Sequence, residues 1–201
     1  ERMGIETIDL YFAHNDDPAV PQEEALGAFA ELVAEGKVRI IGASNFVTHR
    51  LATANLIARA NGLPRYEVLQ QRHTYLKPRH DADTDPQVVL TDDMIGYCEA
   101  EEVSIMAYSA TLGGAYSGEP GRKVPAEYLS PANEARLAVL RAIAGETGFT
   151  PQQVMLAWLW SRRGMMPLIA ASSVAQLQVN LAAIELTLEA NQLARLEGAG
   201  E

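Results

Sequence analysis

The sequence predicts an α/β fold built of successive strand–helix units and, among such folds, a (β/α)₈ barrel that is incomplete. Three observations carry this expectation. Short apolar runs alternate with helical stretches from end to end, polar residues gather where each run stops, and the turn after the first run, HNDDP at His14–Pro18, contains no glycine. Strands separated by helices must be parallel, because a parallel pair needs a crossover. An open dinucleotide-binding sheet would place a Gly-rich turn after its first strand, whereas a barrel brings every strand end to one face. The barrel is therefore favoured over the open sheet. Five strands do not close it, and 201 residues fall short of the ~250 usual for the fold. The expected organisation is a single domain over residues 1–201 with about five β/α units.

The first strand is read at Thr7–Ala13, within the stretch IETIDLYFAH that stops on His14. A helix follows over Pro21–Glu35, with Ala25, Leu26, Phe29, Leu32 and Val33 at helical spacing and Gly36 as its stop. The second strand, Val38–Gly42, leads into Ala43–Asn45 and then a helix at Thr48–Ala60, with Thr48 as N-cap and Gly62 closing it. The third strand is placed at Glu67–Leu69 and its helix at Thr91–Glu102; the fourth strand is Ser104–Ala107. A Gly-rich loop spans Ser109–Leu129, followed by helices near Asn133–Glu146 and Pro151–Arg163, the second with Thr150 and Pro151 as cap and first position. The last strand is read at Pro167–Ala170, then helices at Val174–Leu186 and around Ala190–Gly198. Each strand run is short, apolar and partly β-branched or aromatic, as buried parallel strands are.

A hydrophobic content of 48% over 201 residues suffices for a sizeable core. The net charge of −10 opposes nucleic-acid binding, which needs clustered Lys and Arg, and opposes docking on anionic membranes. The lone Cys98 leaves no internal disulfide framework and suits a reducing compartment. It lies in a helical run, where a buried inert thiol is expected. No apolar run approaches the ~20 residues of a membrane span, and the opening ERMG lacks the features of a secretory signal. A cytoplasmic protein is expected.

The residues that close the strands carry the chemistry. His14 follows the first strand and Ser44 and Asn45 the second; Gln70 closes the third, and Tyr108 and Ser109 the fourth, ahead of Leu112, Gly113 and Gly114. Ala170–Ser173 close the fifth, with Gln176 and Asn180 on the next helix. Amides, hydroxyls and one aromatic ring suit a ligand that displays a carboxamide, a flat ring and a pyrophosphate. Asn45 and Gln70 can exchange hydrogen bonds with an amide, and Tyr108 offers a stacking face. The Gly113–Gly114 pair permits close approach to phosphate, and the N-terminus of the Val174 helix offers free N–H groups.

On these residues the chain resembles the aldo-keto reductase superfamily. The matching stretches are IDLYFAH, EGKVRIIGASNF, VLQQRHTYL, IMAYSATLGG and LIAASSVAQLQVNLAAI, in the family's order and across almost the whole chain. The resemblance implies a (β/α)₈ barrel, here strands four to eight, that reduces an aldehyde or ketone with a nicotinamide cofactor, usually NADPH. By motif, His14 is similar to the histidine that orients the substrate carbonyl. Ser44, Asn45 and Gln70 are similar to the holders of the nicotinamide carboxamide, and Tyr108 to the ring stacked on it. Ser109, Leu112 and Gly114 resemble the pyrophosphate segment, and Ser172, Gln176 and Asn180 the adenosine end.

The sequence departs from the family pattern twice. The family's catalytic Asp, Tyr and Lys belong to the first three barrel units, and these 201 residues contain no match to them. The chain alone is therefore expected to be an inactive fragment, prone to aggregate or pair through unpaired strand edges. A 2′-phosphate normally meets an Arg or Lys. Ala170–Asn180 holds neither, and Arg162 and Arg163 precede the strand, which leaves Arg122 or Lys123 of the long loop; NADH is accordingly an alternative. A rival reading is a non-catalytic, cofactor-binding regulatory subunit of the same fold, and a third is a self-standing five-stranded fold with unrelated chemistry. His49, His73 and His80 read as solvated residues. The acidic run Asp81–Pro86 has no EF-hand spacing and no zinc-type cluster is present, so no metal is expected. At least one of Trp158 and Trp160 is expected to pack, and Ser44 has no G-x-S-x-G elbow to make it a nucleophile. The substrate and oligomeric state are not encoded legibly.

Overall fold

A computed structural model describes residues 4–200; the first three residues of ERMG, and Glu201, lie outside the described residues. Five parallel strands follow one another across a sheet in chain order: β1 (Ile8–Ala13), β2 (Val38–Ser44), β3 (Tyr66–Arg72), β4 (Ser104–Tyr108) and β5 (Met165–Pro167). The described residues divide into two compact units, residues 4–72 with 85–106, and residues 73–84 with 107–200. Strand β4 passes from the first to the second.

In the first unit, helices α1 (Gln22–Ala34), α2 (Thr48–Asn61) and α3 (Asp92–Ala100) accompany β1–β3. The register pairs Phe12 with Gly42, Ala13 with Ala43, Ala43 with Leu69 and Ser44 with Gln70. Leu26, Ile41, Leu51, Ala54 and Leu69 are fully buried. Tyr66 joins them and meets Phe29 and Phe46 edge-on at 6.1 and 5.4 Å between centroids. Buried Asn55 on α2 holds both backbone polar groups of Tyr66, donating to its carbonyl at 3.1 Å and accepting from its N–H at 2.9 Å. That pairing satisfies groups that burial would otherwise penalise. Thr48 is not the N-cap the sequence suggested: Val47 occupies that position without a side-chain bond. The Thr48 hydroxyl instead donates to Asp93 at 2.5 Å, tying α2 to α3. A capping hydroxyl and a tethering hydroxyl look alike in sequence.

Gly42 is a place where a side chain is excluded. A Cβ there would lie 2.5 Å from Phe12 Cε1 and 3.0 Å from the Val68 carbonyl oxygen. Because one obstacle is backbone, the sheet itself must shift. Gly42→Ala is expected to lower unfolding free energy by about 1–3 kcal/mol, the cost of overpacking a core; urea denaturation measures it, and a loss below about 0.5 kcal/mol would contradict the tight fit.

In the second unit, α4 (Pro131–Thr147), α5 (Pro151–Ser161), α6 (Val174–Leu181) and α7 (Ala190–Glu197) surround the end of β4 and β5. Thr150 caps α5 through a reciprocal bond with Gln153, with Pro151 in the first turn, as its sequence implied. Strand β5 was expected at Pro167–Ala170 but runs over Met165–Pro167. It follows the buried–exposed–buried alternation of Met165, Met166 and Pro167, a pattern hidden by residues of modest strand preference. The run expected as one helix over Val174–Leu186 stops at Leu181 and tightens into a 3₁₀ turn at Ala182–Glu185. Trp158 is buried against Tyr75 at 5.2 Å and His73 at 5.9 Å, the packing role foreseen for one tryptophan. His73 is thus not the solvated loop residue expected: it is half-buried against that ring. Val174, Leu177, Leu181 and Ile184 form an exposed apolar row along α6 and the turn after it. No helix among the described residues is long and apolar enough to cross a membrane.

Candidate active site

Register places the predicted residues of the first unit. Since Ala13 pairs with Ala43 and Ser44 with Gln70, His14, just past β1, reaches the level of Ser44 and Gln70. His14 is exposed and Gln70 half-buried, while Ser44 is wholly buried. Asn45 turns the chain with φ +57°, a left-handed conformation that Asn tolerates better than most residues. Its Nδ2 donates to the His14 carbonyl at 3.1 Å, to Asn15 Oδ1 at 3.1 Å and to Ser44 Oγ at 3.3 Å. Its Oδ1 accepts from the Val88 N–H at 3.2 Å. Asn45 therefore joins the ends of β1 and β2 to the segment preceding α3. The Gln70 side chain makes no hydrogen bond among the described residues, which leaves a carboxamide ready for a ligand.

Asp16 steadies the turn beside His14. Its carboxylate takes a two-pronged bond from Arg50, 2.7 Å at each oxygen, and both side chains are largely buried. Donating to the Asp16 carboxylate holds the Arg50 guanidinium above its usual range.

The second unit carries the other predicted residues. Tyr108 ends β4 half-buried, and its carbonyl accepts from the His73 N–H at 3.1 Å. Beyond it Ser109 (φ +56°), Leu112 (φ +46°), Gly113 (φ +64°) and Gly114 (φ +89°) adopt left-handed backbone within six residues. Thr111 is right-handed and Leu112 left-handed, and the Leu112 and Gly114 N–H groups close the turn on the Ser109 and Thr111 carbonyls at 3.0 and 2.9 Å. Leu112 is itself buried in the 3₁₀ turn Leu112–Gly114. A Cβ on Gly113 would meet nothing, and one on Gly114 would lie 3.5 Å from Arg122 Cδ and Nε. Arg122, one of the two loop cations raised by the sequence, thus stands beside this glycine, 3.6 Å from Glu119. Arg162 is engaged elsewhere, over the Trp158 ring at 4.7 Å.

Ser172 and Gln176 are joined: Gln176 Oε1 accepts from the Ser172 hydroxyl at 2.9 Å and its N–H at 3.0 Å. Asn180 is not with them. It is buried, and its Oδ1 accepts from Gln152 on α5 at 2.6 Å, so it braces two helices. Cys98 is buried and its thiol is pushed up to about 12 by burial, which fits the inert role read from the sequence. One residue of this neighbourhood escaped the sequence reading: Gln71, fully buried, whose Oε1 accepts from the Asn45 N–H at 2.7 Å. Adjacent glutamines give no sign of which faces inward.

These strand-end groups are those on which the sequence resemblance rested. The sequence model of the Aldo/keto reductase family matches residues 1–201. The chain belongs to the aldo/keto reductase family. It is 32% identical to an uncharacterized oxidoreductase of Mycobacterium tuberculosis, Rv2298, over 94% of this chain and 58% of that protein. It is 26% identical to the aldo-keto reductase AFTS1 of Alternaria alternata, over 94% of this chain and 52% of the other. Among solved structures it is similar to a thermostable aldo-keto reductase, Tm1743, crystallised with the inhibitor epalrestat. The TM-score is 0.73 at 28% identity, covering 98% of this chain and 61% of that one. The chain thus spans little more than half the length of these curated relatives.

Proposed function

We propose that the protein transfers a hydride between NADPH and an aldehyde or ketone, with these 201 residues supplying strands four to eight of the barrel. The single observation that carries this reading is the grouping of His14, Asn45 and an unengaged Gln70 amide at one level of three adjacent strands. In this reading Gln70 holds the nicotinamide carboxamide, Asn45 fixes the strand ends beside it, Ser44 supports Asn45 from below, and Tyr108 stacks on the ring. Ser109, Leu112 and Gly114 face the pyrophosphate, and Ser172 and Gln176 serve the adenosine end, while Asn180 supports their helix from behind through Gln152. The residues fit such a group. A Cβ on Gly113 would meet nothing, so its backbone is uncovered, and the left-handed φ of Gly113 and Gly114 suits glycine where a backbone must come close to a phosphate.

NADPH, when bound, supplies the hydride. His14 orients the substrate oxygen from a turn braced by Asp16 and Arg50. The proton to the forming alkoxide comes from a tyrosine that the family places on an earlier barrel unit, so the 201 residues alone are expected to bind but not to turn over. Arg122 or Lys123 of the long loop supplies the cation for the 2′-phosphate. Titrating NADPH and NADH into the native protein by dihydronicotinamide fluorescence tests the cofactor assignment. NADPH is expected to bind at least tenfold tighter, since one charged contact is worth about 1.5–3 kcal/mol. Equal or tighter NADH binding overturns the NADPH assignment, and binding of neither overturns the reading.

A further inference from the structure

We infer that Gln71 is a positioning residue that sets the Asn45 turn and, through it, the main chain of His14. The inference rests on the functional reading of His14 and Asn45 given above, and Gln71 itself touches neither substrate nor cofactor. Its side chain has no exposed surface. An amide in that setting costs free energy unless both of its ends are paired, and here both ends are spent on one short stretch of main chain. Oε1 accepts from the Asn45 N–H at 2.7 Å, and Nε2 donates to the Phe46 carbonyl at 2.9 Å while touching Met94 Sδ at 3.4 Å. Gln71 therefore grips the chain on either side of residue 45, the one strand-end residue of this unit with left-handed backbone next to the proposed site.

A leucine would fill the same space without the desolvation cost, so packing alone does not account for the amide. What the amide adds is direction. With its backbone pinned from below, Asn45 can aim Nδ2 at the His14 carbonyl and Asn15 and receive the Val88 N–H. Release of the turn would let those bonds lengthen together, because they all issue from one side chain. Misplacement of a reacting group by about 1 Å can cost on the order of 10²-fold in rate, so the effect should be large although Gln71 is remote from the chemistry.

The test is a double-mutant cycle in the native protein with Gln71→Met, Asn45→Gly and both together. Methionine keeps the volume and removes the amide, and glycine keeps the left-handed backbone while removing the side chain. Two quantities are read on folded protein: NADPH affinity by fluorescence, and the NMR chemical shifts of His14. Gln71→Met is expected to weaken NADPH binding about tenfold or more and to move the His14 resonances in the same direction as Asn45→Gly. The double variant should be no worse than Asn45→Gly alone within about twofold, since both act on one path. Multiplicative losses, or unchanged His14 shifts in Gln71→Met with only a lower melting temperature, overturn the inference. Should Gln71→Met not fold, Gln71→Leu, which also fills the space and removes both amide bonds, takes its place with the same criteria. Wild-type protein that binds no dinucleotide defeats the functional reading, and the His14 shifts then decide the positioning role on their own.

Discussion

Replacing His14 by alanine in the native enzyme is expected to lower kcat for carbonyl reduction about 10²–10⁴-fold, the range of one acid–base or orienting group, while NADPH affinity changes less than about twofold. The separation follows from the geometry. Asn45 holds the residue-14 carbonyl, a main-chain atom, so removal of the imidazole leaves the Asn45 network in place. Gln70 is likewise untouched. The loss should therefore fall on the step that needs the substrate oxygen oriented. Stopped-flow single turnover separates that step from product release. An unchanged rate would remove His14 from the reaction. Wild-type protein that binds NADPH yet reduces no carbonyl would favour the regulatory-subunit reading.

Unfolding free energy is expected to fall steeply in alkali. Burial pushes the Cys98 thiol up to about 12 and the hydroxyls of Tyr66 and Tyr75 up to about 12; burial also raises Tyr116, against the bond from Thr74 that lowers it. Each group is neutral when protonated, so in the folded chain it keeps its proton to higher pH than in the unfolded chain. Between about pH 8.5 and 12 the unfolded state therefore binds fewer protons, and stability declines as pH rises. The stabilising contribution is intact below about pH 8.5 and erodes first at the thiol, then at the phenols from about pH 10. Each fully shifted group contributes about 1.4 kcal/mol per pH unit, so the decline by pH 11 should reach at least about 4 kcal/mol. Urea denaturation at successive pH values reads it, and Cys98→Ala should flatten the portion below about pH 10. Stability that stays level from pH 8.5 to 11 would show that these groups are hydrated, not buried.

The strand–helix order, the parallel pairing and the polar strand ends were legible because an apolar run that stops on His14, Ser44 or Gln70 marks both the strand and its exit. Boundaries were harder. β5 was read two residues late because Met165 and Pro167 lack the branched side chains by which strands are recognised, and α6 was read too long because a 3₁₀ turn keeps apolar spacing. The predicted site was legible in its residue types but not in how each is used. Asn45 is spent on the chain itself, Asn180 on Gln152, and Ser44 is buried, since sequence does not say whether an amide faces a ligand or a neighbour. Gln70 and Gln71 make the point sharply: identical and adjacent, they point to opposite uses because successive strand residues alternate faces.

The most direct measurement is a crystal structure of the native protein grown with saturating NADPH. The carboxamide is predicted within about 3 Å of the Gln70 side chain with the pyrophosphate against Gly113 and Gly114. A dinucleotide bound away from Gln70 and His14, or none bound at all, would contradict the account.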